Sequence, residues 1–244
     1  MSKFEQNFKV EYYDIGENRK ATEKSILKYM QKIAGMHSDE MGCGLEELAK
    51  ENLGWIITNW KLNVMDKPKY NDNIVVKTWV RKIDKLYFYR DFEILNSRGE
   101  KIAIATSRWI LMDIKKKIAK KVEDRFVNLH TIHEEDVFPS HKFVKIKEPE
   151  FYQEEFAYRI QRRDIDTNHH VNNLNYLDFA YETLPEEIYN SKVFKNIEIS
   201  YKNEIKPKDE IICKYSVIND DEYLIVIKNK ETEIENAIIK LEIL

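Results

Sequence analysis

Glycine is scarce in this chain, and the positions of the glycines exclude three common catalytic motifs. The 244 residues include six glycines, at positions 16, 35, 42, 44, 54 and 99. No two of them are four residues apart, which excludes the G-x-S-x-G nucleophile elbow. Glu47 stands where a dinucleotide-binding fingerprint needs its third glycine, and no glycine precedes a lysine as in a P-loop. The common hydrolase, dehydrogenase and NTPase motifs are therefore absent.

Cysteines and long apolar runs are also few. The two cysteines, Cys43 and Cys213, form neither a C-x-x-C pair nor a disulfide framework, which predicts a reducing compartment. The amino terminus carries charges where a signal peptide is apolar, and no run approaches the roughly 18 apolar residues of a membrane span. We expect a cytoplasmic protein without a membrane span. A net charge of −3 argues against a nucleic-acid partner.

The rest of the sequence divides into two halves with the same order of elements. Apolar residues at helical spacing predict a helix over 21–34, ended by Gly35, and a short second helix over 44–52. In the second half, the same spacing predicts a helix from about Val171 to Leu184. Alternating apolar residues predict strands at 8–16, 55–65, 73–83, 86–95 and 101–114 in the first half, and at 155–166, 194–205, 210–218, 223–230 and 236–244 in the second.

The two halves align residue against residue. Asp14 aligns with Asp164, 150 positions further on, and the segment 65–77 aligns with 202–214 at a spacing of 137. A duplicated α+β unit of roughly 100 residues explains both spacings. The polar stretch between the halves predicts a linker over 136–150. The predicted domains are therefore 1–135 and 151–244.

The densest group of polar residues precedes the predicted helix of the second half. Asp166, Asn168 and His170 occupy every second position there. A carboxylate and an imidazole can exchange protons, and the N–H groups at a helix start can stabilise negative charge on a reacting carbonyl oxygen. The same residue types are also common in turns and helix caps, so the triplet alone leaves a structural role open.

The continuous segment DIDTNHHVNNLNYLDFAYE resembles the Asp-x-Asn-x-His-Val-Asn-Asn-x-x-Tyr signature of the acyl-acyl carrier protein (acyl-ACP) thioesterases. The resemblance implies two tandem hot-dog domains, each with a long helix wrapped by a curved antiparallel sheet. It also implies hydrolysis of fatty acyl-ACP to free fatty acid, with acyl carrier protein as partner and without a cofactor. Catalytic roles are implied for Asp166, Asn168, His170 and, within the segment Tyr201-Lys202-Asn203-Glu204, for Glu204.

Within this resemblance we expect Glu204 or His170 to act as general base and Asp166 to orient the imidazole of His170. Asn168 and the first N–H groups of the helix would hold the substrate carbonyl. Plant members of the family follow the glutamate with a cysteine, whereas this chain has Ile205, which excludes a cysteine mechanism there. Cys213 is expected to be a small core residue.

The first half supplies an internal comparison. At the positions of Asp166, Asn168, His170 and Glu204 it has Gly16, Asn18, Lys20 and Lys67, so only the amide is retained. We therefore predict one active site per chain, with the first half binding the acyl chain. The chain would be a monomeric pseudo-dimer or part of a homodimer.

Three other functions remain open. A hot-dog thioesterase acting on acyl-coenzyme A would use the same chemistry, and a non-catalytic acyl-binding protein would keep only the fold. A hot-dog hydratase is disfavoured because its histidine lies five residues after its aspartate. Outside the motif, His130, His133 and Glu134 are expected to lie in a solvated loop, and His37 is expected to make local contacts at a helix end.

Overall fold

Alternating apolar residues form long antiparallel strands in the first half, as predicted. The computed structural model describes residues 3–140 and 142–243. In the unit Met1–Lys142 the strands pair in the order β1-β3-β4-β5-β2, all antiparallel, and a short strand β6 pairs with β5. The bounds are β1 Phe4–Lys9, β2 Leu53–Val64, β3 Asn73–Ile83, β4 Tyr87–Leu95, β5 Lys101–Asp113 and β6 Ile118–Lys120.

One long helix covers this sheet. Helix α1 (Glu23–Glu40) begins where the Thr22 hydroxyl accepts the N–H of Ser25 at 3.1 Å. It buries the predicted apolar positions 26, 30 and 33 completely, and its closest partner in the sheet is β3. Two shorter helices follow, α2 (Leu45–Lys50) and α3 (Asp124–Leu129).

The predicted end of the first helix is wrong. Helix α1 continues through Gly35 for five more residues, because one glycine inside a helix costs only about 1 kcal/mol relative to alanine. The helix is followed instead by Gly42, whose φ of +69° is the left-handed conformation that ends helices and favours glycine. The predicted first strand is also displaced, since β1 lies earlier in the chain and residues 12–14 form a 3₁₀ turn.

The unit Phe143–Leu244 repeats the same arrangement. Its strands pair antiparallel in the order β7-β9-β10-β11-β8, which is the order of the first unit, element for element. The bounds are β7 Glu154–Arg159, β8 Asn196–Tyr201, β9 Glu210–Asn219, β10 Glu222–Asn229, β11 Glu235–Glu242, α4 Asn175–Glu182 and α5 Glu186–Ser191. The chain is thus a protein of mixed helices and strands, and neighbouring strands within each unit run antiparallel.

Backbone hydrogen bonds reproduce both spacings of the sequence repeat. Each of three bonds around residues 14–22 recurs around residues 164–172, and the partner of one of them is shifted by 137 rather than 150 positions. The pairs are Gly16 N to Lys20 O and Asp166 N to His170 O, Thr22 N to Asp14 O and Asn172 N to Asp164 O, and Ala21 N to Pro68 O and Val171 N to Ile205 O. The duplication is therefore present in the backbone geometry.

The helix of the second half starts later than predicted. Helix α4 begins at Asn175, four residues after the predicted start at Val171. The N–H of Val171 donates to the carbonyl of Ile205 at 2.9 Å, and Val171 also forms a β-bridge with Ile165. These contacts keep the residue extended, so that helical geometry starts only after Asn172. No helix within residues 3–140 and 142–243 is long and apolar enough to cross a membrane.

Candidate active site

A tight turn presents the predicted site residues. Its ends are joined by the bridge between Ile165 and Val171, and the N–H of Asp166 donates to the carbonyl of His170 at 2.9 Å. The Asp166 carboxylate accepts the N–H of Asn168 at 2.8 Å, and His169 takes a left-handed φ of +60°. The turn is therefore fixed by local hydrogen bonds.

A tertiary contact brings Glu204 to this turn. The carbonyl of the fully buried Ile205 accepts the N–H of Val171, which places the preceding residue beside the turn. The Oε2 atom of Glu204 lies 3.0 Å from the Nε2 atom of His170. The two side chains are 37% and 29% exposed. The site thus contains a carboxylate–imidazole pair that solvent and a ligand can reach.

The contacts of two carboxylates, Glu204 and Asp166, bear on how His170 is oriented. The motif predicts that Asp166 orients the imidazole of His170, which stays a prediction, and the Glu204 carboxylate lies 3.0 Å from that imidazole. The Asp166 carboxylate accepts the backbone N–H of Asn168. A carboxylate bonded to an imidazole selects its tautomer and can take part in proton transfer through it. Glu204 is therefore the group that the geometry couples to His170.

Two of the N–H groups near the start of α4 are already bonded within the chain. The Oδ1 atom of Asn172 accepts the N–H of Leu174 at 3.0 Å, and the carbonyl of Asn172 accepts the N–H of Asn175 at 2.9 Å. Neither N–H is available to a substrate carbonyl. The side chain of Asn168, in contrast, is exposed on the turn and carries an amide donor.

One buried and one partly buried tyrosine pack next to the site. Tyr176 is 4% exposed, and its ring packs edge-on against Tyr201 with 5.2 Å between the ring centroids. The Tyr201 hydroxyl donates to the carbonyl of Asn173 at 2.9 Å. Burial raises the pKa of both phenols, so both remain protonated donors. The sequence pattern did not predict this supporting role.

The equivalent corner of the first unit holds lysines. Lys20 lies 3.9 Å from Asp66, and Lys67, the counterpart of Glu204, forms an ion pair with Glu23 at 2.5 Å. In the part of the chain that the structure describes, no group of three His, Cys, Asp or Glu side chains could hold a metal ion. Cys213 is fully buried, and burial raises the pKa of its thiol to about 12, as fits the predicted core residue.

A second polar cluster lies inside the first unit, where sequence analysis predicted a solvated loop and a helix end. His130 is only 9% exposed, and its Nε2 atom lies 3.7 Å from the Cys43 sulfur. The buried Arg90 donates to Nδ1 of His37 at 2.8 Å, and the His37 and His130 rings meet edge-on. The prediction that His130 is solvated is therefore wrong, because the polar stretch packs back onto β4 through Phe88.

This cluster makes the stability of the protein sensitive to acid. Burial, together with Arg90, lowers the pKa of His130 from 6.5 to about 4 and that of His37 to about 3. As the pH falls below 6.5 the unfolded chain binds these protons first, so stability is lost from pH 6.5 down to about 4 for His130 and down to about 3 for His37. For His130 alone we expect a loss of about 2 kcal/mol at pH 5.

Urea denaturation at pH 7 and pH 5 checks this expectation. The His130→Leu variant should lose less unfolding free energy between the two pH values than the wild type. The exposed His169→Asn variant is the matched control and should behave as the wild type does. An equal loss in His130→Leu and wild type would contradict the assignment.

Comparisons with known proteins agree with the motif and the fold. The family model "Acyl-ACP thioesterase N-terminal domain" matches residues 1–130, and "Acyl-ACP thioesterase C-terminal domain" matches residues 147–242. The chain therefore belongs to the acyl-ACP thioesterase family.

Two of the curated relatives come from Arabidopsis thaliana. The chain is 29% identical over 217 residues to the chloroplastic palmitoyl-acyl carrier protein thioesterase of Arabidopsis thaliana, which covers 82% of this chain and 52% of the relative. It is 25% identical over 223 residues to the chloroplastic oleoyl-acyl carrier protein thioesterase 2 of the same plant, with 84% and 60% covered. The chain thus spans little more than half the length of these relatives.

Solved structures share the fold over nearly the whole chain. An acyl-ACP thioesterase from Bacteroides thetaiotaomicron superposes with a TM-score of 0.87 at 21% identity, covering 98% of this chain and 97% of the other. The 12:0-ACP thioesterase from Umbellularia californica gives 0.86 at 20% identity, with 98% and 96% covered.

Proposed function

We propose that this chain hydrolyses the thioester bond of fatty acyl-ACP, releasing free fatty acid and acyl carrier protein. The observation that carries the proposal is the 3.0 Å contact between His170 and Glu204 beside the Asp166–His170 turn. It supplies an acid–base pair in the unit that bears the complete family motif. Family membership makes a thioester the substrate class that we favour.

In the mechanism that we propose, Glu204 removes a proton from water as the water oxygen attacks the thioester carbonyl carbon. The side-chain amide of Asn168 donates a hydrogen bond to the carbonyl oxygen while that oxygen gains negative charge. The carbon–sulfur bond then breaks, and the proton passes through His170 to the departing sulfur. The products are a carboxylic acid and a thiol, and Asp166 keeps the turn in shape.

The repeat supports the finer architecture that we propose. Two tandem hot-dog domains, 1–135 and 151–244, would be joined by a linker over 136–150, and the second domain would be catalytic. The matching strand order of the two units supports this division. The first domain, which has lysines in place of the acid–base pair, would bind the acyl chain. A cytoplasmic location remains a prediction, whereas the plant relatives are named chloroplastic.

The decisive experiment offers the purified protein a series of acyl-ACP and acyl-coenzyme A thioesters of graded chain length. Free thiol is measured with a colorimetric thiol reagent and free fatty acid by mass spectrometry. We expect equal amounts of thiol and acid, with a higher kcat/KM for acyl-ACP than for the matching acyl-coenzyme A.

The other outcomes would each contradict the proposal in a distinct way. A higher kcat/KM for acyl-coenzyme A would assign the other carrier. Hydration of an enoyl thioester without thiol release would indicate a hydratase. Acyl binding without any product would indicate a binding protein.

A further inference from the structure

A buried asparagine contacts the backbone of the Glu204 segment. Asn236, near the start of β11, is 2% exposed. Its Nδ2 atom donates to the carbonyls of Asn203 and Glu204, at 3.3 Å each. Its Oδ1 atom is buried and has no hydrogen-bond partner among the described residues. The Asn236 side chain thus contacts two consecutive carbonyls through its amide nitrogen.

The same segment is tied to β11 by its backbone. The N–H groups of Lys202 and Asn203 both donate to the carbonyl of Asn236, at 2.8 and 3.2 Å. The side chain of Asn203 donates to the carbonyl of Glu235 at 2.7 Å. These bonds attach residues 202 and 203 to β11, and the Asn236 side chain binds the carbonyls of Asn203 and Glu204.

The first unit shows that strand pairing does not require this amide. There, the carbonyl of Ile102 accepts the N–H groups of Met65 and Asp66 at 2.9 and 3.1 Å, which is the same backbone arrangement. Ile102 occupies the place of Asn236 and is equally buried, at 4%. The residue that follows this segment in the first unit is Lys67, the counterpart of Glu204. An apolar side chain at this position is therefore enough for the strand pairing in the first unit, where a lysine replaces the glutamate.

We propose that Asn236 is a positioning residue for Glu204 in the thioesterase reaction, an inference that rests on the proposed function. The Asn203 carbonyl belongs to the peptide group before the Cα of Glu204, and the Glu204 carbonyl belongs to the peptide group after it. Fixing both groups fixes φ and ψ of Glu204, and with them the direction of its side chain toward His170. The bond from Val171 to the Ile205 carbonyl holds the next peptide group.

The Asn236→Leu variant tests this role, because leucine has a similar shape and lacks the donor. We expect kcat on acyl-ACP to fall about 10- to 100-fold, since misplacing a reacting group by about 1 Å has effects of this size, while KM changes less than about twofold. The pH profile of kcat should change, and the ring nitrogen NMR signals of His170 should shift in the free enzyme.

A matched variant distinguishes a loss of Glu204 positioning from a general loss of packing in β11. Ile238→Val removes one buried methylene from the same strand, two residues away, at a position that pairs with Ser200. It should lower the melting temperature without changing kcat or the His170 signals. If Asn236→Leu does not fold, Asn236→Ile, which introduces the residue of the first unit, is compared in the same way.

Failure of this inference can be told apart from failure of the proposed function. A wild-type kcat and unchanged His170 signals in the Asn236 variant would overturn the positioning role while thioester hydrolysis stands. If the wild type hydrolyses no thioester, the proposed function fails. The NMR comparison of free wild type and variant then decides whether Asn236 positions Glu204, and unchanged signals would overturn it.

Discussion

Replacing Glu204 with glutamine is expected to lower kcat on acyl-ACP by a factor of about 100 to 10,000, the usual contribution of a general base. Glutamine keeps the length and the hydrogen-bonding shape of the side chain but cannot take a proton from water. Because Glu204 is 37% exposed, the substitution leaves the core intact, and the melting temperature should stay close to that of the wild type. Steady-state thiol release and thermal denaturation measure the two quantities.

A matched carboxylate in the same unit provides the control. Glu155 lies 3.7 Å from Lys214, and the Glu155 side chain is 62% exposed. Glu155→Gln removes the same charge and should leave kcat unchanged, since exposed pairs contribute little. A Glu204→Gln enzyme with wild-type kcat would remove Glu204 from the mechanism and leave His170 as the base.

The strands and the motif could be predicted because their signals are local. Strand β3 has the predicted bounds, 73–83, since alternating apolar residues reflect one buried face of a strand. The motif predicted catalytic roles for His170 and Glu204, which lie in two separate segments of the sequence. Their contact could not be read from spacing alone, because it depends on the bond between Val171 and Ile205, which are distant in sequence.

Tertiary contacts explain what sequence reasoning missed. The start of α4 was predicted too early because helical spacing does not show that Val171 is held by Ile205. Burial of His130 follows from packing against Phe88 and Cys43, which its polar neighbours in sequence do not indicate. The sequence does contain one indication of the role of Asn236. If the repeat is extended to the last strand, this polar residue aligns with the apolar Ile102.

The second large effect is expected for His170. His170→Ala should lower kcat by about 100- to 10,000-fold, because the imidazole passes the proton to the departing sulfur and holds the Glu204 carboxylate at 3.0 Å. The neighbouring His169 is the matched control. His169 is exposed, and its backbone has a positive φ, as does that of its counterpart Arg19. Asparagine tolerates this conformation, so His169→Asn should keep both the turn and kcat.

The double variant tests whether the two residues act as one unit. If the proton moves through the bonded pair, removing one partner already disables the other, so the effects do not add. We therefore expect Glu204→Gln combined with His170→Ala to lower kcat about as much as the more severe single change, within roughly tenfold. A loss equal to the product of both single effects would mean that the residues act in separate steps, and the 3.0 Å contact would then have only a structural role.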